Sequence, residues 1–497
     1  MPTETKTAKP SPRRKRASAA ATLPPYQLPT PSPARPLTAR RFAALVAGKA
    51  AAVATRATGR GGGTSLPGMV ARRIDPEILE ALIGERGIPV LAITGSNGKT
   101  TTARFTAAIL RAAGLPVAHN QAGANLVQGV TSIAVAESDF RGRIPATIML
   151  SEVDEGALPQ IAHEIPPRAL LITNLFRDQL DRYGEIYAVA DTFETVAAAL
   201  PPESVLVVNA DDPIVAGLAS ARKGLRVTFG LDLPASTDAI SRAADTIRCP
   251  RCRADLKYKR VYLSHMGQWR CPACRLTRPR LDVAVTALEV RGLAETRLTV
   301  RTPAGELLLS VPQSGVHVAY DAAGAVALAV GLGVRTDHVP EALASVGPAF
   351  GRLERISGDG HQIVLGFAKN PTSYNTTLRA LATEDLPREL LIAVSNTLVD
   401  GEDFAWLWDV DFESAVDRIE HATVSGLRSD EIANRLKYAG MDPNRMTVVP
   451  ERIPALNAAL ARLQPGGTLT ILASYTPTIE LREEMRRRGW VGRYWEA

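Results

Sequence analysis

Short apolar runs recur along the chain, and most of them end in a cluster of polar side chains. The first, Ile88 to Ile93, enters a turn containing Gly95 and Gly98, and a segment suited to a helix (Thr100 to Ala113) leaves it. Ala146 to Leu150, Ala169 to Thr173 and Val205 to Val208 repeat the pattern, ending in Ser151-Glu-Val-Asp-Glu155, Asn174 and Asn209-Ala-Asp-Asp212. Helical patterns such as Glu194 to Leu200 lie between them. Strands alternating with helices predict an α/β fold with a parallel sheet, and ligands of such sheets collect at the carboxyl ends of the strands. An alternating region, Leu281 to Leu309, reads as further strands, followed by an Ala-rich helix ending at Leu332. The last part alternates again, with strands at His361 to Ala368, Leu390 to Val394, Ala422 to Ser425 and Thr468 to Ala473, and predicts a second, smaller Rossmann-like domain. Ahead of the first strand, Arg41 to Ala57 reads as a helix packed on the surface, followed by Gly59-Arg-Gly-Gly-Gly63.

The first turn carries the clearest chemistry. Gly95-Ser-Asn-Gly-Lys-Thr-Thr101 has the strand–loop–helix layout of a phosphate-binding loop, although position 93 is Ile where the general pattern has Gly. Its glycines let backbone N–H groups turn inward, and the helix N-terminus adds positive potential. Lys99 can reach terminal phosphates and the Thr100 hydroxyl suits Mg²⁺, so the expected ligand is ATP. Glu152 is the best second Mg²⁺ partner, ahead of Asp154 and Glu155. Arg352, in Gly351-Arg-Leu-Glu354, is placed to reach phosphate or ribose from across an interdomain cleft, and His317 is a further candidate near the nucleotide.

All four cysteines fall in two knuckles, Cys249-Pro-Arg-Cys252 and Cys271-Pro-Ala-Cys274. Each tight turn presents two thiolates to one tetrahedral ion, and four thiolates leave no open position, so a structural zinc is expected. The domain expectation is therefore a tail over 1–38, a central ATPase domain over 39–347 with a zinc ribbon inserted at 246–279, and a C-terminal domain over 348–497.

Charge changes the picture less than its total suggests. Residues 1–41 hold nine Lys/Arg against Glu4, so the net +7 leaves the rest of the chain at −1. The body is not a basic nucleic-acid binder, and the Pro-rich tail, with its Arg13-Arg-Lys-Arg16 cluster, reads as disordered. There is neither a secretory leader pattern nor an apolar run of membrane-spanning length.

These motifs resemble the Mur ligase superfamily over roughly residues 40–490. The ATP loop, Asn209-Ala-Asp-Asp-Pro213 and Gly351-Arg-Leu-Glu354 are shared with the superfamily at large. Thr173-Asn-Leu-Phe-Arg-Asp-Gln-Leu-Asp-Arg-Tyr-Gly184, Glu152 to Glu155, the four-cysteine ribbon, Lys369-Asn-Pro371 and Asp400 to Glu413 are similar to its MurT branch, whose members pair with GatD-type glutaminases. The resemblance implies an ATP site formed by Gly95, Asn97, Gly98, Lys99, Thr100, Thr101, Glu152, Asn209 and Arg352. It also implies a cytoplasmic enzyme at the inner membrane face that amidates the D-glutamate α-carboxylate of lipid II through an acyl phosphate. Asp400, ahead of Asp403 and Asp409, would complete the partner's Cys–His pair. Two residue-level observations agree: no Lys occurs between Lys99 and Lys223, where amino-acid-adding ligases carry a carbamylated one, and no Cys is left over to hydrolyse glutamine.

Several positions depart from the superfamily pattern. His317-Val318 replaces His-Asn, Asp321 replaces an Asn, and Gly366-Phe-Ala-Lys-Asn-Pro371 lacks the usual ribose-contacting Asp. The Gly expected soon after Pro371 is also missing. The main alternative is a single-chain amino-acid-adding ligase of the Mur or folylpolyglutamate type. Others are a nucleic-acid-associated ATPase and a non-catalytic scaffold for a glutaminase.

Overall fold

Six strands before the ribbon, β1 (Val90–Thr94), β2 (Val117–His119), β3 (Ile148–Glu152), β4 (Ala169–Ile172), β5 (Val205–Asn209) and β6 (Arg226–Leu231), pair in parallel. The ribbon contributes the hairpin β7 (Lys257–Leu263) and β8 (Met266–Arg270), and after it come β9 (Val283–Arg291), β10 (Glu295–Thr302) and β11 (Gly305–Val311). The larger sheet runs β11-β10-β9-β6-β5-β4-β1-β3-β2, so β1, which leads into the phosphate loop, lies between β4 and β3. The computed structural model describes residues 36–58, 65–120, 124–176, 186–219, 222, 224–237, 248–292, 294–348, 352–382, 388–397, 400–401 and 403–492. The expectation of disorder for the tail, the Gly59–Gly63 run, the 177–184 part of the Thr173 motif and the side chain of Arg352 fall outside the described residues.

The strands β1, β3, β4 and β5 are buried along their whole length, which is why they open on continuous apolar runs instead of alternating, with the polar Thr94, Ser151, Glu152 and Asn209 only at carboxyl ends. Leu91 and Ile93 face one core with Phe105 and Ile109 of α3 (Lys99–Ala112) and with the helix Val316–Leu332. Val90 and Ala92 face the other, with Val130 of the helix Val127–Glu137, Ile161 and Phe193. Two helices precede β1. The 20-residue Ala39–Thr58 and the shorter Leu66–Ile74 pack on each other and on Val127–Glu137. Gly68 makes this possible, since a Cβ there would come 1.9 Å from the Gln128 carbonyl oxygen.

The smaller sheet holds β12 (Arg352–Gly358), β13 (His361–Phe367), β14 (Arg388–Ala393), β15 (Ile419–Ser425), β16 (Met446–Val448) and β17 (Thr468–Ala473). Its order is β12-β13-β17-β14-β15-β16, with only β12 antiparallel to its neighbour. Strand order reverses between β14 and β17, the place where sheets of this kind form a ligand-binding crevice outside their carboxyl ends.

Candidate active site

The turn after β1 is held in shape by the segment after β4. Gly95 and Gly98 have φ of 124° and 85°, conformations that side chains resist. A Cβ would also meet Thr173 Oγ1 at 2.3 Å in the first case and Asp321 Oδ1 at 2.1 Å in the second. Ser96 N–H donates to the Asn174 carbonyl (2.9 Å), and Asn97 N–H to Asn174 Oδ1 (2.9 Å). The Thr173 hydroxyl and the Asn174 amide both donate to the Asn97 carbonyl, at 2.8 and 3.1 Å. Lys99 opens α3 and is almost buried. Its Nζ donates to the Gly95 carbonyl at 2.5 Å and lies 3.2 Å from a Glu155 carboxylate oxygen. Thr101 is buried beside it, and Thr100 is half-buried.

Glu152 ends β3 directly across from Ile93, two residues ahead of the turn. It is 4% exposed, and its Oε2 is buried with no hydrogen-bond partner among the described residues. An orphaned carboxylate oxygen in such a place fits a cation. Together with the Thr100 hydroxyl at the helix N-terminus it forms a donor set that suits Mg²⁺. Glu155, an alternative for that role, instead pairs with Lys99.

Asn209 is wholly buried and does not line the cleft. Its amide donates to the Thr173 carbonyl (2.9 Å) and to Met266 Sδ (3.3 Å), so it ties the segment after β4 to the ribbon hairpin. The hairpin makes further contacts there. Asp212 caps the helix Pro213–Leu218, accepts from Leu175 N–H at 2.8 Å and lies 3.3 Å from His265 Nε2. The His265 ring sits 4.8 Å from that of Phe176, and Trp269 Nε1 donates to the Ala210 carbonyl. Arg278 donates to Asp211 at 2.5 Å, and the Tyr320 hydroxyl and Leu231 N–H also donate to that carboxylate. Burial pushes the Asp211 carboxyl upward, and these donors offset it only in part.

At the far end of the ribbon the four Sγ atoms lie within 4.8 Å of one another, with Cys249–Cys274 at 3.6 Å and Cys252–Cys271 at 3.4 Å. Zinc–sulfur bonds of about 2.3 Å in a tetrahedron require sulfur separations of about 3.8 Å, so the cluster is compatible with zinc. Arg253 and Arg275, each following the second Cys of its knuckle, share a φ of 62°, so the two turns are built alike.

Between the loop and the second sheet lies an open cleft. Asn97, Gly98 and Thr101 line one part; Phe176, Leu263, Met266 and Tyr320 make an apolar part; Gly366, Phe367 and Thr372 close it from the second domain. His317 and Asp321 also line it, and Asp321 accepts from the Thr102 hydroxyl at 3.3 Å. Asn370 Nδ2 donates to Asn97 Oδ1 at 3.1 Å and joins the domains at the loop itself. Such a cleft suits a ligand with an anionic end and a flat apolar end. Arg352 is placed by its backbone opposite Gly366, which lines the cleft. Leu263 and Met266 carry no signal in the sequence: the knuckles mark a ribbon but not where its hairpin points.

Asp400 does not line this cleft; it lies beyond the carboxyl ends of β14 and β17 and is buried, at 8% exposure. Its Oδ2 accepts from the Thr397 hydroxyl (2.7 Å), and its Oδ1 from Thr476 N–H (2.9 Å) in the first turn of the helix Tyr475–Arg487. Asp403 caps the short turn that follows, accepting from Ala405 N–H. Of the two tryptophans, Trp406 packs against Tyr374 in the core, whereas Trp408 is half exposed and stacks on the exposed Tyr438.

A phosphate loop at the centre of a parallel sheet, a buried acid beside it and a second α/β domain across the cleft define the Mur ligase fold. The "Mur ligase middle domain" family matches residues 93–257, and "MurT ligase C-terminal" matches residues 367–478. The chain is 30% identical over 447 residues to the lipid II isoglutaminyl synthase (glutamine-hydrolyzing) subunit MurT of Streptococcus pneumoniae, covering 89% of this chain and 96% of that one. It is 28% identical to its namesake in Staphylococcus aureus, covering 90% and 98%. It belongs to the MurT family. Among solved structures, a pseudomurein peptide ligase type C from Methanothermus fervidus shares the fold at a TM-score of 0.63 and 22% identity, over 81% of this chain and 79% of that one.

Proposed function

We propose that this chain is the ATP-using subunit of a lipid II isoglutaminyl synthase. It converts the D-glutamate α-carboxylate of the stem peptide to D-isoglutamine with ammonia from a GatD-type glutaminase. The carboxylate attacks the γ-phosphorus of ATP and ADP leaves. Ammonia then attacks the acyl phosphate carbon, and phosphate departs from the amide. The loop N–H groups and Lys99 stabilise charge on the transferred phosphoryl group. Thr100 and Glu152 would hold Mg²⁺, which when bound draws charge from the phosphate oxygens. The base fits the apolar part of the cleft, Arg352 reaches phosphate or ribose from the second domain, and Cys249, Cys252, Cys271 and Cys274 hold a structural zinc. Asp400, buried beyond the carboxyl ends of β14 and β17, would orient the partner's histidine once the partner docks there, as an Asp does within a triad. The work takes place at the inner face of the cytoplasmic membrane, where a lipid-linked substrate is presented.

The observation that carries this reading is the intact phosphate loop, Gly95 to Thr101, facing the cleft in a chain of the MurT family. The test is reconstitution with a co-expressed GatD-type glutaminase, lipid II, ATP and glutamine, followed by mass spectrometry of the stem peptide. Conversion to the amide that needs all four is expected. ATP turnover stimulated by an amino acid, without any partner, would replace this reading with the single-chain ligase.

A further inference from the structure

We propose that the two helices ahead of β1, Ala39–Thr58 (α1) and Leu66–Ile74 (α2), form a docking face for the anionic surface of a phospholipid bilayer. The inference rests on the reading above for its purpose, since a lipid-linked substrate lies at such a surface, but lipid contact can be measured independently of amidation.

The first observation is a pattern of exposure. Ala44, Leu45 and Gly48 of α1 are buried against the protein. On the opposite side Phe42, Val46, Lys49 and Val53 follow one another at helical spacing, with Phe42 47% and Val53 66% exposed. The α2 helix repeats this arrangement: Pro67, Gly68 and Ala71 are buried, whereas Leu66, Met69 and Arg73 share the outer face. Phe140, 62% exposed, lies beside them under Lys49, whose Nζ is 5.7 Å from the ring centroid. Counting Ile74, seven of the fifteen exposed large hydrophobic side chains among the described residues belong to this one region. Arg40 Nε donates to the Ile74 carbonyl (2.8 Å), fixing the start of α1 to the end of α2, so the two stripes run side by side on a fixed frame.

The second observation is charge. Between Glu4 and Asp75 the chain has fourteen Lys/Arg and no Asp or Glu. Arg41 and Arg72 are paired with Glu85 and Glu164, whereas Arg73 is exposed beside the apolar stripe. The tail bearing seven of the fourteen enters the described structure three residues before α1 begins. The acids at the margin of this stripe, Asp75, Glu85, Glu164 and Asp139, are paired with Arg40, Arg41, Arg72 and Arg143, and an apolar stripe so flanked by Lys/Arg suits a layer of phosphates over acyl chains. The same feature argues against a second copy as the occupant, because two such faces would repel each other. No helix among the described residues is long and apolar enough to cross a membrane, so the contact is peripheral, with α1 lying along the surface.

The test uses the full chain and vesicles of phosphatidylcholine, alone or with phosphatidylglycerol, without any lipid-linked substrate. Flotation should show binding only to the anionic vesicles, weakened at least tenfold by high salt and by the double variant Val46→Glu/Val53→Glu. Met69→Glu repeats the test from the second helix, and unchanged ATP affinity in both variants certifies the fold. Three results would overturn the proposal. One is no binding to anionic vesicles. Another is binding that survives the face variants and is lost when residues 1–35 are removed. The third is self-association, abolished by the same variants, with no vesicle binding. Failure of amidation with intact vesicle binding would instead count against the proposed function alone.

Discussion

Lys99 Nζ and the Glu155 carboxylate lie 3.2 Å apart, each less than a tenth exposed, so each neutralises a charge that would otherwise be buried alone. Under the proposed function, a terminal phosphate would compete with Glu155 for the same ammonium. Replacing Lys99 by Met should lower ATP-dependent amidation by about 100-fold or more. It should also destabilise the fold by about 3 kcal/mol, because the buried Glu155 loses its ammonium partner. Adding Glu155→Gln should restore the melting temperature but not the activity. A double variant that melts as low as the single one would show that this pair is not what holds Glu155.

Glu152 carries a buried oxygen that lacks a hydrogen-bond partner among the described residues. Glu152→Gln should therefore leave the melting temperature unchanged or slightly raised, while the Mg²⁺ concentration needed for half-maximal ATP turnover rises about tenfold. A titration of turnover against Mg²⁺ checks this. An unchanged requirement would move the metal contact to another acid.

Met266 and Leu263 reach the cleft from the tip of a hairpin whose base is the four-cysteine cluster. Stripping metal with a chelator, or Cys252→Ser, should weaken nucleotide binding by about tenfold before the central sheet melts, because the apolar wall would lose its support. Binding of tripolyphosphate, which needs only the loop, should change little. Calorimetry with both ligands would separate the two effects, and equal losses would point to general unfolding.

Asp400→Asn should nearly abolish the stimulation of glutamine hydrolysis in a GatD-type partner while ATP affinity stays the same. The carboxylate lies beyond the carboxyl ends of β14 and β17 and does not line the nucleotide cleft. Because Thr476 N–H also donates to it, a melting curve must accompany the assay. A loss of stability without a loss of stimulation would make it only a helix cap.

Glu389, on β14, is almost buried, and burial raises its carboxyl from about 4.5 to about 7, with Arg462 3.2 Å away offsetting only part. The folded state thus holds this proton more tightly than the unfolded one. As pH rises from about 4.5 the unfolded chain ionises first, and stability falls until about pH 7, beyond which the penalty is constant. Glu389→Gln removes it. The variant should match the parent near pH 4.5 and exceed it by about 1–3 kcal/mol at pH 8, as denaturant titrations at the two pH values would show.

Much of this fold could be read from the sequence because its central strands are buried on both faces. Val90–Thr94 and Val205–Asn209 are apolar up to their last residue, where a polar cluster begins. Strands that escaped notice lack that signature. Val117–His119 and Met446–Val448 are three-residue edge strands, and Arg226–Leu231 begins with an exposed charge. At the site, Lys99 and Glu152 stood out because loop spacing and strand ends are local properties of the chain. The linkage of Asn97 to Asn370 spans 273 residues, and that of Asn209 to Met266 depends on where an inserted hairpin folds back. Neither leaves a local pattern. Asn209 illustrates the difference: a motif identified it, but its buried amide braces the Thr173 segment, a role visible only in three dimensions.

The hairpin's entry into the cleft has a consequence for engineering. An inserted module joined at two nearby points can ordinarily be excised or exchanged between homologues with a short linker. Here, removal would delete two wall residues, leave Asp211 without Arg278 and open the amide of Asn209 to solvent. Chimaeras of this domain should keep their ribbon and their Asn209-Ala-Asp-Asp212 turn from one parent, because the two surfaces form a single mould.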